Sequence, residues 1–259
     1  MEWIKKTIRT KFNNNKETYI KNLKESAILI IKHINKGSKI SCFTDYDVDG
    51  IGCAYILNWF FRAIQYHATI KIPNRSEGYG LSIKWIEENK NNVDLIITAD
   101  NGISKTEEIE LAKSYGIDVL VTDHHLPSGE LPDCLVVDPK IGSSEFTKEL
   151  CGAGVVFYLL RQVIYDMKID ININEVLDML TMSTISDLVE LDQANRQIVI
   201  AGLKRINNGK FSSKGLELLF DKFSQEIKSE DIAFGVAPII NAVGRINDPN
   251  LIFQFLIDN

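Results

Sequence analysis

Three carboxylates stand at alternate positions in the segment Asp45-Tyr46-Asp47-Val48-Asp49-Gly50. Side chains alternate between two faces in an extended segment, so we expect Asp45, Asp47 and Asp49 to face the same side. Carboxylates held that close repel one another unless a cation joins them. The triplet therefore predicts a divalent metal site, and a solvated acidic turn is the simpler alternative.

The same spacing opens the calcium loop of an EF-hand, and that loop requires a glutamate at its twelfth position. Counted from Asp45, the twelfth position is Ile56. The residues before the triplet, 40–44, also have the pattern of a strand, whereas an EF-hand needs a helix there. The EF-hand interpretation is rejected on both grounds.

Two further polar motifs follow apolar runs. Asp100-Asn101-Gly102 comes after residues 95–99, and Asp123-His124-His125 comes after residues 118–122. Two adjacent histidines are notable in a chain with only four. One imidazole serving as a metal ligand and its neighbour as a phosphate contact or proton donor is chemically sensible. Asp123 is then a candidate to orient an imidazole from behind. The alternatives are a turn or helix cap for Asp100 and a surface turn for the histidine pair.

Asp187 closes a largely apolar helical segment, residues 174–186. A carboxylate at the carboxyl end of a helix opposes the helix dipole, and a bound metal would compensate for that placement. An ordinary surface acid is the alternative. His33 and His67 have the pattern of helix-surface or strand-edge residues, and we assign them no role.

Five short apolar runs alternate with helical segments in the first part of the chain. The runs cover residues 39–44, 69–73, 93–99, 118–122 and 134–137. Alternating strands and helices indicate a parallel sheet with right-handed crossovers. Such sheets bind ligands beyond the carboxyl ends of their strands, where the acidic and histidine motifs occur, together with Asp138.

Helical periodicity dominates outside this region. It covers residues 15–36, 152–166, 174–186, 193–207, 213–223 and 248–257. The glycines of the segment 152–154 open one of these helices and are candidates either for amide contacts to a phosphate or for close packing. We therefore expect an α/β fold, a parallel β-sheet flanked by helices and followed by a mainly helical segment.

The composition is that of an ordinary globular protein, with 259 residues, 45% of them hydrophobic and 25% charged. The net charge of −6 argues mildly against a protein that coats nucleic acid, but it does not exclude a nuclease. No apolar run is long enough to span a bilayer, and the N-terminus lacks a secretory pattern. The four cysteines form no paired motif, which favours the reducing cytoplasm.

Taken in order, the polar motifs resemble the four motifs of the DHH family of phosphoesterases. They lie at residues 44–50, 99–102, 122–125 and 186–187. Further segments resemble the RecJ-type exonuclease branch of that family, and they lie at residues 72–75, 78–81, 137–139, 151–154 and 238–245. Each short segment is weak alone, but their order and spacing are specific.

The resemblance implies a site for two manganese or magnesium ions. It assigns Asp45 and Asp47 to the first ion, and Asp49, His124 and Asp187 to the second. Asp100 would bridge the two ions, and His125 would contact the scissile phosphate with Asp123 beside it. Arg75 and Arg245 would bind phosphates of the substrate, although a structural ion pair is the alternative for each.

The function that the resemblance implies is hydrolysis of single-stranded DNA from the 5′ end by water activated at two metals, in DNA repair and recombination. Two alternatives stay open: a phosphodiesterase of short oligonucleotides or cyclic dinucleotides, and a non-catalytic DHH scaffold in a replication or repair complex. The resemblance divides the chain into an N-terminal helical segment (1–37), a catalytic domain (38–190) and a helical extension (191–259). The family's associated C-terminal domain is not recognisable, so we expect a second domain, partner protein or second copy to complete the substrate cleft.

Overall fold

The five apolar runs form one sheet in the computed structural model, which describes residues 18–191, 193–223, 225–246 and 248–258. The strands are β1 (Ile40–Thr44), β2 (Ala68–Lys71), β3 (Leu95–Ala99), β4 (Asp118–Thr122) and β5 (Leu135–Val137). Their order across the sheet is β2-β1-β3-β4-β5, and every neighbouring pair is parallel. The predicted α/β class with a parallel sheet is confirmed.

Helices cover both faces of the sheet and form most of the described chain outside it. They are α1 (Leu23–Lys36), α2 (Val48–Ala63), α3 (Ile83–Asn89), α4 (Thr106–Ser114), α5 (Gly152–Met167), α6 (Leu177–Ser186), α7 (Gln193–Asn207), α8 (Lys214–Phe220), α9 (Ala237–Ile246) and α10 (Pro249–Ile257). Short 3₁₀ turns occur at Arg75–Glu77 and Ile173–Val176. A helical turn, Ser229–Asp231, and a π-helical turn, Ile232–Val236, lead into α9.

Strand β3 lies at the centre of the sheet and is buried on both faces. Leu95 and Ile97 belong to a large core formed with α1, α2 and α5. Ile96 points the other way, into a smaller core with Ile86 of α3 and Ile109 of α4. Successive strand residues face opposite sides, which is why the strand reads as a continuous apolar run and not as an alternating one.

The helical part that follows the sheet shares the larger core. Leu216 of α8, Val236 of the π-helical turn and Leu256 of α10 are fully buried in the same cluster as the residues of α2. The helices after residue 150 therefore form a support for the sheet and its loops. Within the described ranges, no helix is both long enough and apolar enough to cross a bilayer.

Two sequence predictions need correction here. The helix predicted over 15–36 begins only at Leu23, because Asn22 has a left-handed backbone (φ 62°) that a helix cannot continue through; residues 15–17 lie outside the described residues. His33, predicted to be on the surface, is buried, and its Nε2 lies 2.9 Å from a carboxylate oxygen of Asp118. It lies on the face of α1 that meets β4, which local periodicity does not reveal.

Candidate metal centre

The strand register brings the polar motifs to one edge of the sheet. Thr44 pairs with Ala99, Ala99 pairs with Thr122, and Thr122 pairs with Val137. The residues that follow these four strand ends therefore lie side by side beyond the sheet. They are Asp45, Asp100, Asp123 and Asp138.

The acidic triplet was predicted to be extended, but only its first part is. Helix α2 begins at Val48, and the Asp47 carboxylate caps it by accepting the amides of Asp49 (2.9 Å) and Gly50 (3.0 Å). A side chain at Gly50 would lie 2.3 Å from the backbone carbonyl of Asp45, so only glycine permits so tight a turn. The segment bends because aspartate is a favoured N-cap residue and Asp47 starts a helix directly after the strand.

Aspartates and histidines from different motifs converge in spite of that turn. These residues form three sets, and within each set the candidate ligand atoms lie within 4.8 Å of one another. The sets are Asp45, Asp47 and Asp100; Asp49, His124 and Asp187; and Asp100, His124 and His125. Asp100 and His124 each occur in two sets, so the sets form one continuous centre.

His124 lies in the middle of the centre. Its Nε2 is 3.0 Å from Asp100 Oδ1 and 3.8 Å from Asp49 Oδ2, and its Nδ1 is 3.6 Å from Asp187 Oδ2. Residues far apart in sequence thus surround one imidazole. Asp187 ends helix α6 and brings its carboxylate to the same point.

The Asp49 carboxylate is held from behind by the start of helix α5. Oδ2 accepts the Gly152 amide at 2.6 Å, and Oδ1 accepts the Ala153 amide at 3.1 Å. The suggestion that the amides of residues 152–154 bind a phosphate therefore fails for these two, because Asp49 already occupies them. The helix dipole favours this anion, so α5 positions Asp49 and contributes to the centre indirectly.

Among the residues that the structure describes, several buried atoms in the centre form no hydrogen bond. They are Asp45 Oδ1, Asp100 Oδ1 and His124 Nε2; the last two lie 3.0 Å apart but lack the geometry of a hydrogen bond. Buried polar atoms are nearly always paired, since leaving one unpaired costs about 1–3 kcal/mol. The carboxylates and the imidazole fit divalent cations, which would satisfy these atoms at once and remove the repulsion among the acids.

The acids of the centre are poorly stabilised as anions on their own. Burial, followed by repulsion from Asp47, raises the pKa of Asp45 to about 7. Burial and repulsion from Asp49 raise the pKa of Asp187 to about 7 and that of Asp100 well above its usual range. A divalent cation would reverse this preference, because it stabilises the ionised carboxylates.

The two histidines differ in environment. Burial, and then the charge of His125, lower the pKa of His124 to about 4, so its ring is neutral and able to bind a metal. In His125, the hydrogen bond from Nδ1 to Asp123 Oδ1 (2.7 Å) raises the pKa of the ring. His125 is also about half exposed, so a substrate can reach it.

Asp123 orients His125 and makes no such contact with the His124 ring. Its Oδ1 also accepts the backbone amides of His124 (2.8 Å) and His125 (3.2 Å), and its Oδ2 accepts the Ile103 amide (2.9 Å). Burial opposes the ionised form, but these hydrogen bonds outweigh it and lower the pKa of Asp123. The carboxylate is thus fixed and charged at neutral pH.

The structure describes the side chain of only one of the two candidate phosphate-binding arginines. The Arg75 guanidinium lies over the Tyr46 ring, 4.6 Å from its centroid, and its charge offsets a small part of the rise that burial causes in the pKa of Asp45. Arg75 therefore borders the centre. Arg245 is in helix α9, and its side chain lies outside the described part of the protein.

Sequence reasoning missed residues that support the centre. The Tyr79 hydroxyl donates to the Asp100 carbonyl (2.8 Å), where the backbone is left-handed (φ 62°). The Asn101 amide donates to the carbonyls of Phe43 (3.1 Å) and Ala99 (2.8 Å) and so ties β1 to β3. The Asn101 position within the motif was the available signal; Tyr79 offered none beyond its glycine-rich surroundings.

Asp138, given no role above, is also buried at this edge. Its Oδ1 accepts the Lys140 amide at 2.7 Å, while its Oδ2 has no hydrogen-bond partner within the described part of the chain. Burial raises its pKa to about 7. Its position one strand beyond Asp123 was readable from the run that ends at Val137.

Comparison with known proteins gives consistent matches. The family model for the N-terminal domain of the DHH family matches residues 39–184. The chain is 34% identical to the single-stranded-DNA-specific exonuclease RecJ of Salmonella typhimurium, over 89% of this chain and 43% of the relative. It is 36% identical to RecJ of Bacillus subtilis, over 88% of this chain and 29% of the relative. The chain thus spans less than half the length of these curated relatives.

Solved structures agree. Exonuclease RecJ bound to manganese superposes with a TM-score of 0.85 at 32% identity, over 93% of this chain and 62% of that one. RecJ from Thermus thermophilus in complex with Mn²⁺ superposes with a TM-score of 0.83 at 30% identity, over 93% of this chain and 35% of that one. The arrangement of sheet and helices is therefore one that manganese-bound proteins share.

Proposed function

This chain belongs to the DHH family, and from that premise we propose that it is a metal-dependent phosphodiesterase that removes nucleotides from the 5′ end of single-stranded DNA. One observation carries the proposal: Asp49, Asp100, His124 and Asp187 converge from four separate segments of the chain, and buried ligand atoms among them form no hydrogen bond to any described residue. Relatives named as single-stranded-DNA-specific exonucleases supply the substrate class.

We propose that two ions are held as the sequence suggests. Asp45 and Asp47 would hold the first, with Asp47 using Oδ2 because its Oδ1 caps α2. Asp49, His124 and Asp187 would hold the second. Asp100 would bridge the two, in keeping with its place in two of the ligand sets.

Manganese is the proposed ion, with magnesium as a substitute. Carboxylates suit both ions, and an imidazole ligand favours manganese over the harder magnesium. The similar structures with manganese and with magnesium support the same choice. When bound, the ions would supply an activated water and offset charge on the leaving oxygen.

The protein's own residues then complete the chemistry. His125, protonated more readily because of Asp123, donates a hydrogen bond to a non-bridging oxygen of the scissile phosphate. Asp123 fixes the ring so that the free nitrogen, Nε2, is the one presented. Arg75 binds a neighbouring phosphate while its guanidinium rests on Tyr46. Arg245 is proposed as a second phosphate contact by resemblance alone.

We propose residues 38–190 as the catalytic domain, 1–37 as a helical segment before it, and 191–259 as an extension leading towards a further domain. The family match to residues 39–184 supports the first boundary. A net charge of −6 is unfavourable for a strand of phosphates, so a further domain, a partner protein or a second copy would contribute cationic contacts. Four free cysteines fit the cytoplasm, and the relatives' activity fits a role in DNA repair and recombination.

The test is manganese-dependent release of nucleotides from labelled single-stranded DNA. We expect the label at the 5′ end to appear in the first product, the label at the 3′ end to appear last, and duplex DNA to be cut slowly. His124→Ala is the matched inactive variant. Turnover confined to a dinucleotide or a cyclic dinucleotide would favour the short-substrate alternative. No turnover on any substrate would favour a scaffold.

A further inference from the structure

Two large apolar residues that directly follow candidate site residues in the sequence have exposed side chains. Leu126 follows His125 directly and is 75% exposed, and Leu188 follows Asp187 directly and is 84% exposed. The Asp187 carboxylate is 3.6 Å from the His124 ring, so the two loops that carry these leucines meet at the centre. Leucines this exposed contribute nothing to the core.

Leu188 is also held in an unfavourable backbone conformation. Its φ is 57°, in the left-handed region that leucine rarely adopts. The chain turns there because the Leu188 amide still reaches the Ile185 carbonyl (3.4 Å) at the end of helix α6. Glycine would adopt this conformation at lower cost. Strain of this kind is commonly found where a side chain serves a function.

We propose that Leu126 and Leu188 form an apolar rim that packs against the sugar and base of the nucleotide whose phosphate lies at the metal centre. The inference rests on the proposed function and extends it to substrate selection. The ions held by the aspartates and His124, together with His125, would bind the phosphate alone and so would not distinguish one phosphodiester or polyphosphate from another. An apolar contact beside them recognises the nucleoside.

The rim also gives a reason for a single-stranded substrate. A base in a duplex is stacked and paired, and its faces are covered by neighbouring bases. A leucine can cover a base only after the base has left the stack, and unstacking costs a few kcal/mol per step in a duplex. In a single strand that cost is small, so the rim favours an unpaired terminal nucleotide.

Leu188→Gly is the variant that separates contact from folding. The substitution removes the side chain and relieves the left-handed strain, so we expect thermal stability to be kept or to rise. Lys168→Gly is the matched control, because Lys168 has a similar backbone (φ 55°) at the far end of helix α5. Leu126→Ala is the second rim variant.

The assay compares a single-stranded oligonucleotide with the same oligonucleotide carrying an abasic residue at its 5′ end. We expect Leu188→Gly to raise KM for the normal strand about tenfold, which corresponds to about 1.4 kcal/mol. On the abasic strand it should behave as the unchanged protein does, and Lys168→Gly should match the unchanged protein on both strands. Binding of each strand with calcium in place of manganese is measured in parallel.

The rim is refuted if Leu188→Gly and Leu126→Ala keep the KM and the base preference of the unchanged protein. Equal losses in Leu188→Gly and Lys168→Gly would also overturn it, since the cause would then be backbone loosening. If no strand is cut but Leu188→Gly weakens binding of the normal strand alone, the rim stands and the proposed function fails. If neither strand binds, both fail.

Discussion

The sharpest prediction concerns Gly152, the first residue of helix α5. A Cβ added there would lie 2.7 Å from the Cβ of Asp100 and 2.9 Å from its Oδ1. Carbon atoms pack at about 3.5–4.0 Å, so one of the two residues must move by about 1 Å. Helix α5 cannot retreat freely, because the Gly152 amide donates to Asp49 at 2.6 Å. Gly152→Ala therefore displaces Asp100, the proposed bridging ligand, or releases Asp49.

Both effects can be given a magnitude. Overpacking a core by one methyl group costs about 1–3 kcal/mol, which lowers Tm by about 2–12 °C in a chain of this size at about 2–4 °C per kcal/mol. A misplacement of about 1 Å in a catalytic group costs about 100-fold in rate. We expect Gly152→Ala to fold, with kcat for manganese-dependent DNA hydrolysis reduced about 100-fold.

The control is Gly154→Ala, in the same turn of the same helix. The three atoms nearest to a Cβ there would all belong to the Leu150 side chain, at 3.0–3.6 Å, and none to a proposed metal ligand. A rotamer change moves Leu150 Cδ2, and the contact with its Cβ at 3.2 Å needs a shift of only a few tenths of an ångström. We expect this variant to keep kcat within a few-fold of the unchanged protein. Near-normal kcat in Gly152→Ala, or equal losses in both variants, would show that the contact with Asp100 does not position the bridging ligand.

Three further predictions follow from the electrostatics of the centre. Burial raises the pKa of Asp45 and of Asp187 to about 7, above the value in an unfolded chain, so ionising them destabilises the metal-free fold as pH rises from about 4 to 7. Manganese competes with their protons, so the rise in Tm that manganese causes, relative to a sample with chelator, should grow between about pH 5.5 and 8. At a manganese concentration of about 100 times Kd the stabilisation is about 2.7 kcal/mol, which corresponds to a rise of about 5–11 °C. A rise that calorimetry finds independent of pH would contradict this. Asp100→Ala should keep or raise Tm in chelator because it removes a repelling carboxylate, yet lose turnover about 1,000-fold in the DNA assay; retained turnover would exclude the bridging role. Asp123→Asn should lower the pKa of His125, because its carboxylate raises that pKa, and should move the alkaline limb of the pH–rate profile to lower pH; an unmoved limb would separate His125 from the rate.

The position of the site was predictable because it depends on strand ends. Asp100 and Asp123 each follow an apolar run, and parallel strands bring their carboxyl ends to one edge. The register that aligns Ala99 with Thr122 makes the two aspartates neighbours. Nothing beyond the period of the runs and the parallel arrangement was needed for that step.

The local geometry was less predictable because it depends on contacts between distant residues. Asp49 is held by the amides of Gly152 and Ala153, which lie far along the chain from it. The alternating spacing of the triplet suggested an extended segment, but Asp47 caps a helix there, since both patterns place Asp after a strand. Sequence spacing alone does not distinguish an acid that caps a helix from one that lies in a strand.

Residues with a strained backbone are also difficult to predict from local sequence. Asp100 and Leu188, both beside the proposed ions, have a left-handed backbone although neither is glycine. Propensity argues against such conformations, so they persist only where the surroundings fix them. At Asp100 the Tyr79 hydroxyl and the close approach of Gly152 do so. At Leu188 the end of α6 does so, and α6 is anchored by a fully buried core. The rigid core therefore carries the strain, and the chemistry of the centre depends on packing some distance from it.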